Sequence, residues 1–183
     1  MRVLTLDYSY SKTGICVSEI RDGKIYVLLS KLVVSNKELE PIERIDRHIN
    51  DIKEIIDKYK PNVICKEEPF VGRAATAKYV LYAHAVLEYI LYTENKEIQD
   101  IHNATLKAYC RKYLIDKYFY TKEELKQFNK KEIVAEFLKA YFSSDMKEIY
   151  TERGKLLDDV SDAIALSVYY KEKMLWRLKN KNN

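Results

Sequence analysis

The chain opens with three apolar runs, RVLTLD (residues 2–7), ICVSEI (15–20) and KIYVLLSKLVV (24–34). The dipeptide Asp22-Gly23 separates the second run from the third. Both of its residues tolerate the positive φ angles that a two-residue hairpin turn requires. The opening of the chain therefore predicts three consecutive antiparallel strands.

The spacing of apolar residues changes to a helical period between Pro41 and Pro61. Isoleucines recur there at three- and four-residue steps with charged residues on the other face, which predicts an amphipathic helix. A short buried strand at about 62–65 and a long, mostly apolar helix at 74–92 are predicted next. The remaining predicted elements are a strand at 98–101, a helix capped near Asn103 or Thr105, a helix at about 122–142 that begins with a Thr121/Glu124 capping box, and a last helix at about 158–177.

This order of elements predicts an α/β fold. Three antiparallel strands lead into alternating helices and strands, which gives a mixed five-stranded sheet of three antiparallel and then parallel strands, with helices on both faces. Only four glycines and three prolines occur, and no linker, repeat or low-complexity segment is visible. We expect residues 1–183 to form a single domain, with a basic C-terminal tail from about residue 171.

Composition limits the kinds of protein that this chain can be. Of its 183 residues, 47% are apolar and 33% are charged, which excludes a disordered tail and a collagen-like fibre. No apolar run approaches the roughly 18 to 20 residues that span a bilayer, and the N-terminus lacks the pattern of a signal peptide. We expect a cytoplasmic protein, in the host cytoplasm if its source is a virus, with three reduced cysteines at Cys16, Cys65 and Cys110.

Basic residues are concentrated in two segments. The net charge is +4, and residues 171–183 alone carry five basic residues and one acidic residue. Residues 107–131 carry eight basic residues and three acidic ones, with four tyrosines and two phenylalanines between them. Such segments can neutralise phosphates and stack on unpaired bases. The alternative is a solvated, charged helix surface over an aromatic core.

Acidic residues follow the predicted strands and begin the last helix. Asp7 ends the first strand, and Glu67 and Glu68 end the fourth. Asp159 and Asp162 are three residues apart and therefore lie on one face of a helix. Carboxylates from distant segments suit Mg²⁺, which prefers oxygen ligands, and two such ions can drive phosphodiester hydrolysis. The pattern predicts a nuclease, although each acid taken alone is also a common turn or helix-cap residue.

Three segments together resemble a known family. DYSYSKTG (7–14) resembles the first motif of the RuvC-type Holliday junction resolvases, which belong to the RNase H-like superfamily. VICKEEPF (63–70) resembles their second motif, an acid at the end of the fourth strand with an aromatic residue after it. DVSDAIAL (159–166) is similar to their final acidic helix. The order and separation of the three motifs cover nearly the whole chain.

What the resemblance implies is a homodimeric endonuclease that resolves four-way (Holliday) DNA junctions by paired symmetric nicks. It also implies two Mg²⁺ ions per active site, with Mn²⁺ able to substitute, and no small-molecule cofactor. The catalytic and metal-binding acids of the family match Asp7, Glu67, Asp159 and Asp162. Glu68 and Asp158 are acids beside two of these positions, so Glu67 or Glu68, and Asp158 or Asp159, remain open as metal ligands.

The resemblance extends to basic residues near the acids. Lys130 or Lys131 matches a family lysine, and we expect Lys130 to be catalytic because it would stabilise charge in the transition state. Lys107 matches a lysine at the start of the helix after the fifth strand. In the loop after Glu67, Phe70 is expected to wedge between base pairs, unless it is buried. The predicted DNA-binding residues are Phe70, Arg73, Lys78, Lys107 and Lys131.

The apolar helix at 74–92 is expected to be buried, either within the monomer or between subunits. The resemblance places the equivalent helix at a dimer interface. A two-fold dimer suits the near two-fold symmetry of a four-way junction, since two active sites would then meet symmetric strands.

Three other functions remain open. The chain is alternatively a junction-binding architectural protein that does not cleave, or an RNase H-like nuclease that acts on other branched or hybrid nucleic acids. An actin-like phosphate-binding fold would need a second glycine-rich loop late in the chain, where only Gly154 is available. His48, His84 and His102 form no nucleophile pair, and His84 is expected to be a core histidine.

Overall fold

The computed structural model describes residues 1–72, 74–117 and 119–181. Its strands are β1 (Arg2–Asp7), β2 (Lys12–Arg21), β3 (Lys24–Val34), β4 (Val63–Glu67) and β5 (Ile98–Ile101). Its α-helices are α1 (Pro41–Tyr59), α2 (Ala74–Thr93), α3 (Asn103–Asp116), α4 (Lys130–Phe142) and α5 (Asp158–Lys181). Short 3₁₀ helices at Glu124–Gln127 and Lys147–Ile149 flank α4.

The five strands form a mixed sheet in the order β3-β2-β1-β4-β5. β1 pairs with β2, and β2 with β3, in antiparallel ladders, whereas β1–β4 and β4–β5 are parallel. The turn between β2 and β3 is Asp22-Gly23, and both residues have positive φ angles, 53° and 71°. The predicted mixed sheet, with its antiparallel hairpins first, is confirmed.

Helices cover both faces of the sheet, and the alternation of side chains along a strand assigns each residue to one face. In β1, Val3 and Thr5 lie on the face covered by α5, whereas Leu4 and Leu6 pack with α1 and α2. Asp7 follows Thr5 by two residues, so it lies on the same face as Val3 and Thr5. It therefore ends β1 on the face that α5 covers.

The strand β4 repeats this alternation. Val63 and Cys65 belong to the core on the α5 face. Glu67 follows at the same spacing and shares that face, whereas Lys66 points to the opposite face and contacts α2. The ends of two neighbouring parallel strands thus bring one carboxylate each to the same side of the sheet.

The start of α5 lies directly against the sheet. The hydroxyl of Thr5 donates to the backbone carbonyl of Ala163 at 2.6 Å. A Cβ added to Gly14 of β2 would lie only 1.8 Å from the carbonyl oxygen of Asp159. Gly14 is therefore required for this contact, because any side chain would push the first turn of α5 away from the sheet.

The predicted start of the helix at 122–142 is wrong. The Thr121/Glu124 capping box is present, but it closes only the short 3₁₀ turn. The α-helix begins at Lys130, where Asn129 accepts from two backbone N–H groups of the first turn. The chain thus has two capping sequences, one at Thr121 and one at Asn129. The longer helix begins after Asn129 because the buried apolar residues follow that cap.

The helix α3 is capped by His102 rather than by the predicted Asn103 or Thr105. Nδ1 of His102 accepts from the backbone N–H of Ala104 at 3.1 Å. A neutral histidine nitrogen can replace the usual side-chain oxygen at a cap. Asn103 thereby becomes the first residue of the helix, and its side chain turns toward the end of β4.

The three cysteines are free and buried, as predicted. Burial raises the pKa of the Cys16 thiol to about 12, so this thiol stays protonated. Across the described ranges of the chain, no helix combines the length and the apolar character needed to span a membrane.

We expect Gly14→Ala to destabilise the protein by about 2–3 kcal/mol, because an added methyl group meets rigid backbone at Asp159. Urea unfolding followed by circular dichroism measures the loss. Gly23→Ala is the matched control, since a Cβ there meets nothing within 4 Å, and its positive φ costs about 1 kcal/mol. Equal losses for the two variants would contradict the close contact of α5 with β2.

Candidate active site

Four carboxylates meet where β1 and β4 end and α5 begins. Asp7 lies within hydrogen-bonding reach of Glu67, and the negative charges of Asp162 and Asp159 also act on it. We call Asp7, Glu67, Asp159 and Asp162 the acidic cluster. The acids that the sequence predicted from three separate motifs are therefore brought together by the fold.

Burial makes negative charge unfavourable throughout the acidic cluster. It raises the pKa of Asp7 well above the usual range, and the charge of Glu67 raises it further. Burial, followed by the charge of Asp162, also raises the pKa of Glu67. The pKa values of Asp159 and Asp162 are raised, again chiefly by burial. The cluster is thus a place where added positive charge is strongly favoured.

Lys107 supplies positive charge inside the acidic cluster. Its Nζ forms an ion pair with Oδ1 of Asp162, and the lysine side chain is only 14% exposed. The ammonium lowers the pKa values of Asp162 and Glu67 against the larger effect of burial. The sequence predicted Lys107 as a DNA-binding residue; the structure places it among the acids.

Asn103 is a residue of the site that the sequence analysis assigned to a helix cap. Its side-chain amide donates to Oε1 of Glu67. β4 and β5 are parallel, and the pairing of Glu67 with Ile101 brings the start of α3 beside Glu67. Asn103 and Lys107 are four residues apart and so share one face of α3. The four-residue spacing of Asn103 and Lys107, just after a strand that neighbours β4, is the sequence signal that could have predicted Asn103 as a site residue.

The structure distinguishes the neighbouring acids that the sequence left open. Glu67 points into the acidic cluster, whereas Glu68 is exposed. The negative charge of Asp159 raises the pKa of Asp7, whereas Asp158 forms an ion pair with Lys131. Burial is the largest single effect and tends to raise the pKa of Asp158. The hydrogen bond from Lys131, a backbone hydrogen bond and the charges of Lys131 and Lys12 together outweigh it, and the pKa is lowered.

Of the two lysines at the start of α4, Lys131 is the one that reaches the acids. Its hydrogen bond to Asp158 raises the pKa of the lysine. The side chain of Lys130, which the sequence predicted as catalytic, is exposed like that of Lys131, but within the described part of the chain it forms no ion pair with an acid. The two residues are about 100° apart around the helix, so the orientation that Asn129 gives to the first turn selects one of them.

The loop and helix beyond β4 carry the other predicted DNA contacts. Phe70 is 82% exposed, so the alternative of a buried Phe70 is wrong. Lys78 is exposed on α2, with its Nζ 4.8 Å from the ring centre of Tyr79. Arg73 lies outside the described residues.

The acidic cluster has the donor set of a divalent metal site. Its side chains offer carboxylate oxygens, which Mg²⁺ and Mn²⁺ prefer, and a bound cation would relieve the repulsion that raises their pKa values. Among residues 1–72, 74–117 and 119–181, no three acidic, histidine or cysteine side chains already converge as a ready metal-binding group.

The sheet order, with acids at the ends of β1 and β4 and at the start of α5, is that of an RNase H-like fold. No family model matches the chain. The chain is 26% identical over 107 residues to the crossover junction endodeoxyribonuclease RuvC of Prochlorococcus marinus strain MIT 9312, over 58% of this chain and 68% of that protein. RuvC of strain AS9601 is 23% identical over the same shares.

Solved structures show the same fold. RuvC from T. thermophilus, in complex with a Holliday junction substrate, superposes with a TM-score of 0.66 and 16% identity, over 90% of this chain and 89% of that one. The yeast mitochondrial Holliday junction resolvase gives a TM-score of 0.59 at 14% identity, over 89% and 74%. The resemblance to RuvC-type resolvases that the three acidic motifs predicted is confirmed.

We expect Asp7→Asn to stabilise the protein in EDTA at pH 8, because the substitution removes a buried negative charge that neighbouring carboxylates repel. Because the pKa of Asp7 is raised on folding, the folded state holds protons that the unfolded chain releases. Stability therefore falls as the pH rises from the ordinary aspartate pKa through the raised one. Urea unfolding at pH 5 and pH 8 measures both effects.

The control for this prediction is Asp57→Asn, at an aspartate whose side chain is 78% exposed. It should change the stability little and leave its pH dependence intact. An Asp7→Asn protein that is less stable than wild type at pH 8 would show that Asp7 is not held against repulsion.

Proposed function

We propose that this chain is a metal-dependent endonuclease that resolves four-way DNA junctions by paired symmetric nicks. The observation that carries the proposal is that Glu67, Asp159 and Asp162 lie near enough to Asp7 for their charges to raise its pKa, at one edge of an RNase H-like sheet. The support from comparison is that the similar proteins are named crossover junction endodeoxyribonucleases and Holliday junction resolvases. The buried, mutually repelling acids make little sense in a protein that only binds DNA.

The acidic cluster would hold two Mg²⁺ ions, for which Mn²⁺ can substitute. When bound, the ions supply an activated water and stabilise the oxygen that leaves the phosphodiester. Asn103 restrains the carboxylate of Glu67 by donating to its Oε1. Asp7 and Glu67 extend from paired strands, which fixes their spacing in the absence of metal.

Lys107 and Lys131 supply positive charge on two sides of the acidic cluster. Lys107 neutralises Asp162 from within the cluster, and Lys131 neutralises Asp158 at its outer edge. Either ammonium can exchange its carboxylate partner for a phosphate oxygen, which is where charge develops during cleavage. We assign the transition-state role predicted for Lys130 to Lys131, because Lys131 is the one in contact with the acids.

The surface beside the acidic cluster suits branched DNA. Phe70 projects from the loop after β4 with its ring in solvent, where it can insert between unpaired bases. Lys78 follows on α2 and is exposed, so it is available to bind a phosphate. Arg73 remains a prediction from the sequence. The basic segment at 107–131 begins with Lys107 and continues the positive charge away from the acids.

The helix α2 provides the proposed dimer interface. Its inner face is buried in the monomer, whereas its outer face exposes apolar and aromatic residues, with Tyr89 68% exposed. The other large exposed residues of this face are Leu81, Tyr82 and Tyr92. A contiguous apolar patch of this kind is typical of an interface, and we commit to a second copy of this chain as its occupant.

We expect the wild-type protein to cut a synthetic mobile four-way junction in Mg²⁺. Asp7→Asn and Glu67→Gln should each lower the single-turnover cleavage rate by about 10²- to 10³-fold, the scale of losing one electrostatic group at a reacting centre. Denaturing gels with each strand labelled in turn measure the rates and show whether the nicks are symmetric. Ca²⁺ gel shifts report binding separately.

Glu68→Gln is the matched control, because Glu68 is the adjacent, exposed acid. Its rate should stay within about twofold of wild type, as for other surface substitutions. Tight binding without any cleavage by wild type would favour the architectural alternative. Equal cleavage of linear duplex or RNA–DNA hybrid would support nuclease activity but contradict the proposed selectivity for junctions.

We expect Tyr89→Glu to weaken self-association by more than about 2 kcal/mol, or roughly 30-fold in the dimer Kd, because it buries a charge in an apolar interface. Sedimentation velocity over a range of concentrations measures the Kd. Tyr26→Glu is the control, since Tyr26 is 40% exposed on the edge strand β3, away from α2. A dimer that survives Tyr89→Glu unchanged would place the interface elsewhere.

A further inference from the structure

Lys66 is a charged side chain buried next to Glu67, on the opposite face of the sheet. Its exposed fraction is 0%. An ammonium group has three N–H donors and no acceptor, and here each donor has a partner. The partners are Nδ1 of His84 at 3.1 Å, Oε1 of Glu88 at 2.9 Å and Oδ1 of Asp100 at 2.6 Å. We call Lys66, His84, Glu88 and Asp100 the Lys66 network.

The contact with Lys66 determines the tautomer of His84. Because the ammonium can only donate, Nδ1 of His84 accepts and the ring proton lies on Nε2. Nε2 then donates to the backbone carbonyl of Tyr8 at 3.2 Å. Burial, reinforced by the charge of Lys66, lowers the pKa of His84 to about 4, so the ring is neutral and both nitrogens are used. The prediction that His84 is a core histidine is confirmed. In addition, His84 joins Lys66 to the backbone carbonyl of Tyr8.

The Lys66 network holds the backbone beside two of the cluster acids. Two residues of α2 and one of β5 reach Lys66, which is the residue before Glu67. Through His84 the same contacts reach the carbonyl of Tyr8, which is the residue after Asp7. The two strand ends that carry the carboxylates are thus joined from the face opposite to the carboxylates.

Stability alone does not account for the Lys66 network. A buried ion pair is often no more stable than well-packed apolar residues of similar size, because desolvation offsets the attraction. Leu4, Leu6 and Ile64 occupy the same face of β1 and β4 and show that apolar packing is available there. What directional hydrogen bonds add, and apolar contacts lack, is a fixed distance between the groups they join.

We propose that Lys66 and His84 are positioning residues that set the separation of Asp7 and Glu67 for metal binding and junction cleavage. This inference rests on the proposed function. Two metal ions about 3.5–4 Å apart require carboxylates held to within roughly half an ångström. Loosening the strand ends therefore acts on metal affinity and turnover, and leaves the DNA-contacting surface unchanged.

The test compares Lys66→Met with Lys171→Met. Lys171 is a second buried lysine, 7% exposed, that donates to Tyr141 at 2.8 Å and Glu172 at 2.6 Å near the middle of α5. Both variants remove a buried ammonium, so both report the general cost of such a loss. Thermal unfolding, junction Kd in Ca²⁺ and single-turnover cleavage in Mg²⁺ are measured for each.

Lys66→Met should bind the junction like wild type but cleave it about tenfold or more slowly, the scale of a displaced reacting group. Its affinity for Mn²⁺ without DNA, measured by electron paramagnetic resonance of the free ion, should fall about tenfold. Lys171→Met should keep both the cleavage rate and the Mn²⁺ affinity of wild type. The Mn²⁺ measurement keeps this inference testable if wild type cuts no junction, in which case the proposed function fails separately.

His84 gives an independent test if Lys66→Met does not fold. His84→Gln keeps one acceptor for Lys66 and one donor for the carbonyl of Tyr8, whereas His84→Leu removes both. Cleavage and Mn²⁺ affinity should be largely retained in His84→Gln and lost in His84→Leu. Folded Lys66→Met with wild-type Mn²⁺ affinity and cleavage, equal losses in Lys171→Met, or equal behaviour of the two His84 variants would each overturn the inference.

Discussion

Repulsion among four buried or half-buried carboxylates is the interaction to which the rest of the structure responds. The pKa values of Asp7 and Glu67 are raised because burial and like charges both oppose ionisation. The acids stay together because the backbone leaves them no alternative: β1 and β4 are paired, and α5 lies against Gly14. Packing elsewhere in the fold therefore supplies the free energy that keeps these carboxylates near one another.

The two faces of the sheet balance charge in opposite ways. On the α5 face, buried acids surround the ammonium of Lys107; on the α2 face, the buried ammonium of Lys66 is surrounded by half-exposed acids. Consecutive residues of β4 belong to the two arrangements because a strand alternates its side chains. After burial, the largest effects on the pKa of Glu67 come from the charges of Asp162 and Lys107, followed by the hydrogen bonds with Asp7 and Asn103. The charge of Lys66 is offset by its own carboxylate partners, which fits the geometric role proposed for it.

Local pattern predicted the parts of the fold that depend on local chemistry. The Asp22-Gly23 turn, the isoleucine period of α1 and the acids at strand ends each follow from neighbours in sequence, and the structure contains all of them. The choice between residues one position apart depends on tertiary contacts that no local pattern contains. Lys131, and not Lys130, pairs with Asp158 because a cap at Asn129, two residues after the 3₁₀ turn ends at Gln127, orients α4.

Residues that act through another residue were the hardest to predict. Asn103 was assigned to a cap because asparagine favours caps, and His102 performs that role instead because Glu67 is near enough to engage Asn103. Lys66 stood inside the motif that predicted Glu67, yet a charge within an apolar strand gives no sign of its partners. Both residues become interpretable only when the order of the parallel strands is known, since β5 brings the start of α3 to Glu67 and Asp100 to Lys66.

The two faces of α2 link the proposed dimer to the acidic cluster. The apolar composition of this helix predicted burial, and its outer aromatic face would be buried only against another copy. Its inner face does more than pack, because His84 and Glu88 attach it to β1 and β4 through directional bonds. Apolar contacts alone would allow α2 to slide along the sheet by part of a turn. With the helix fixed to the strand ends, a two-fold axis at α2 fixes the distance between two acidic clusters, which paired nicks in a symmetric junction require.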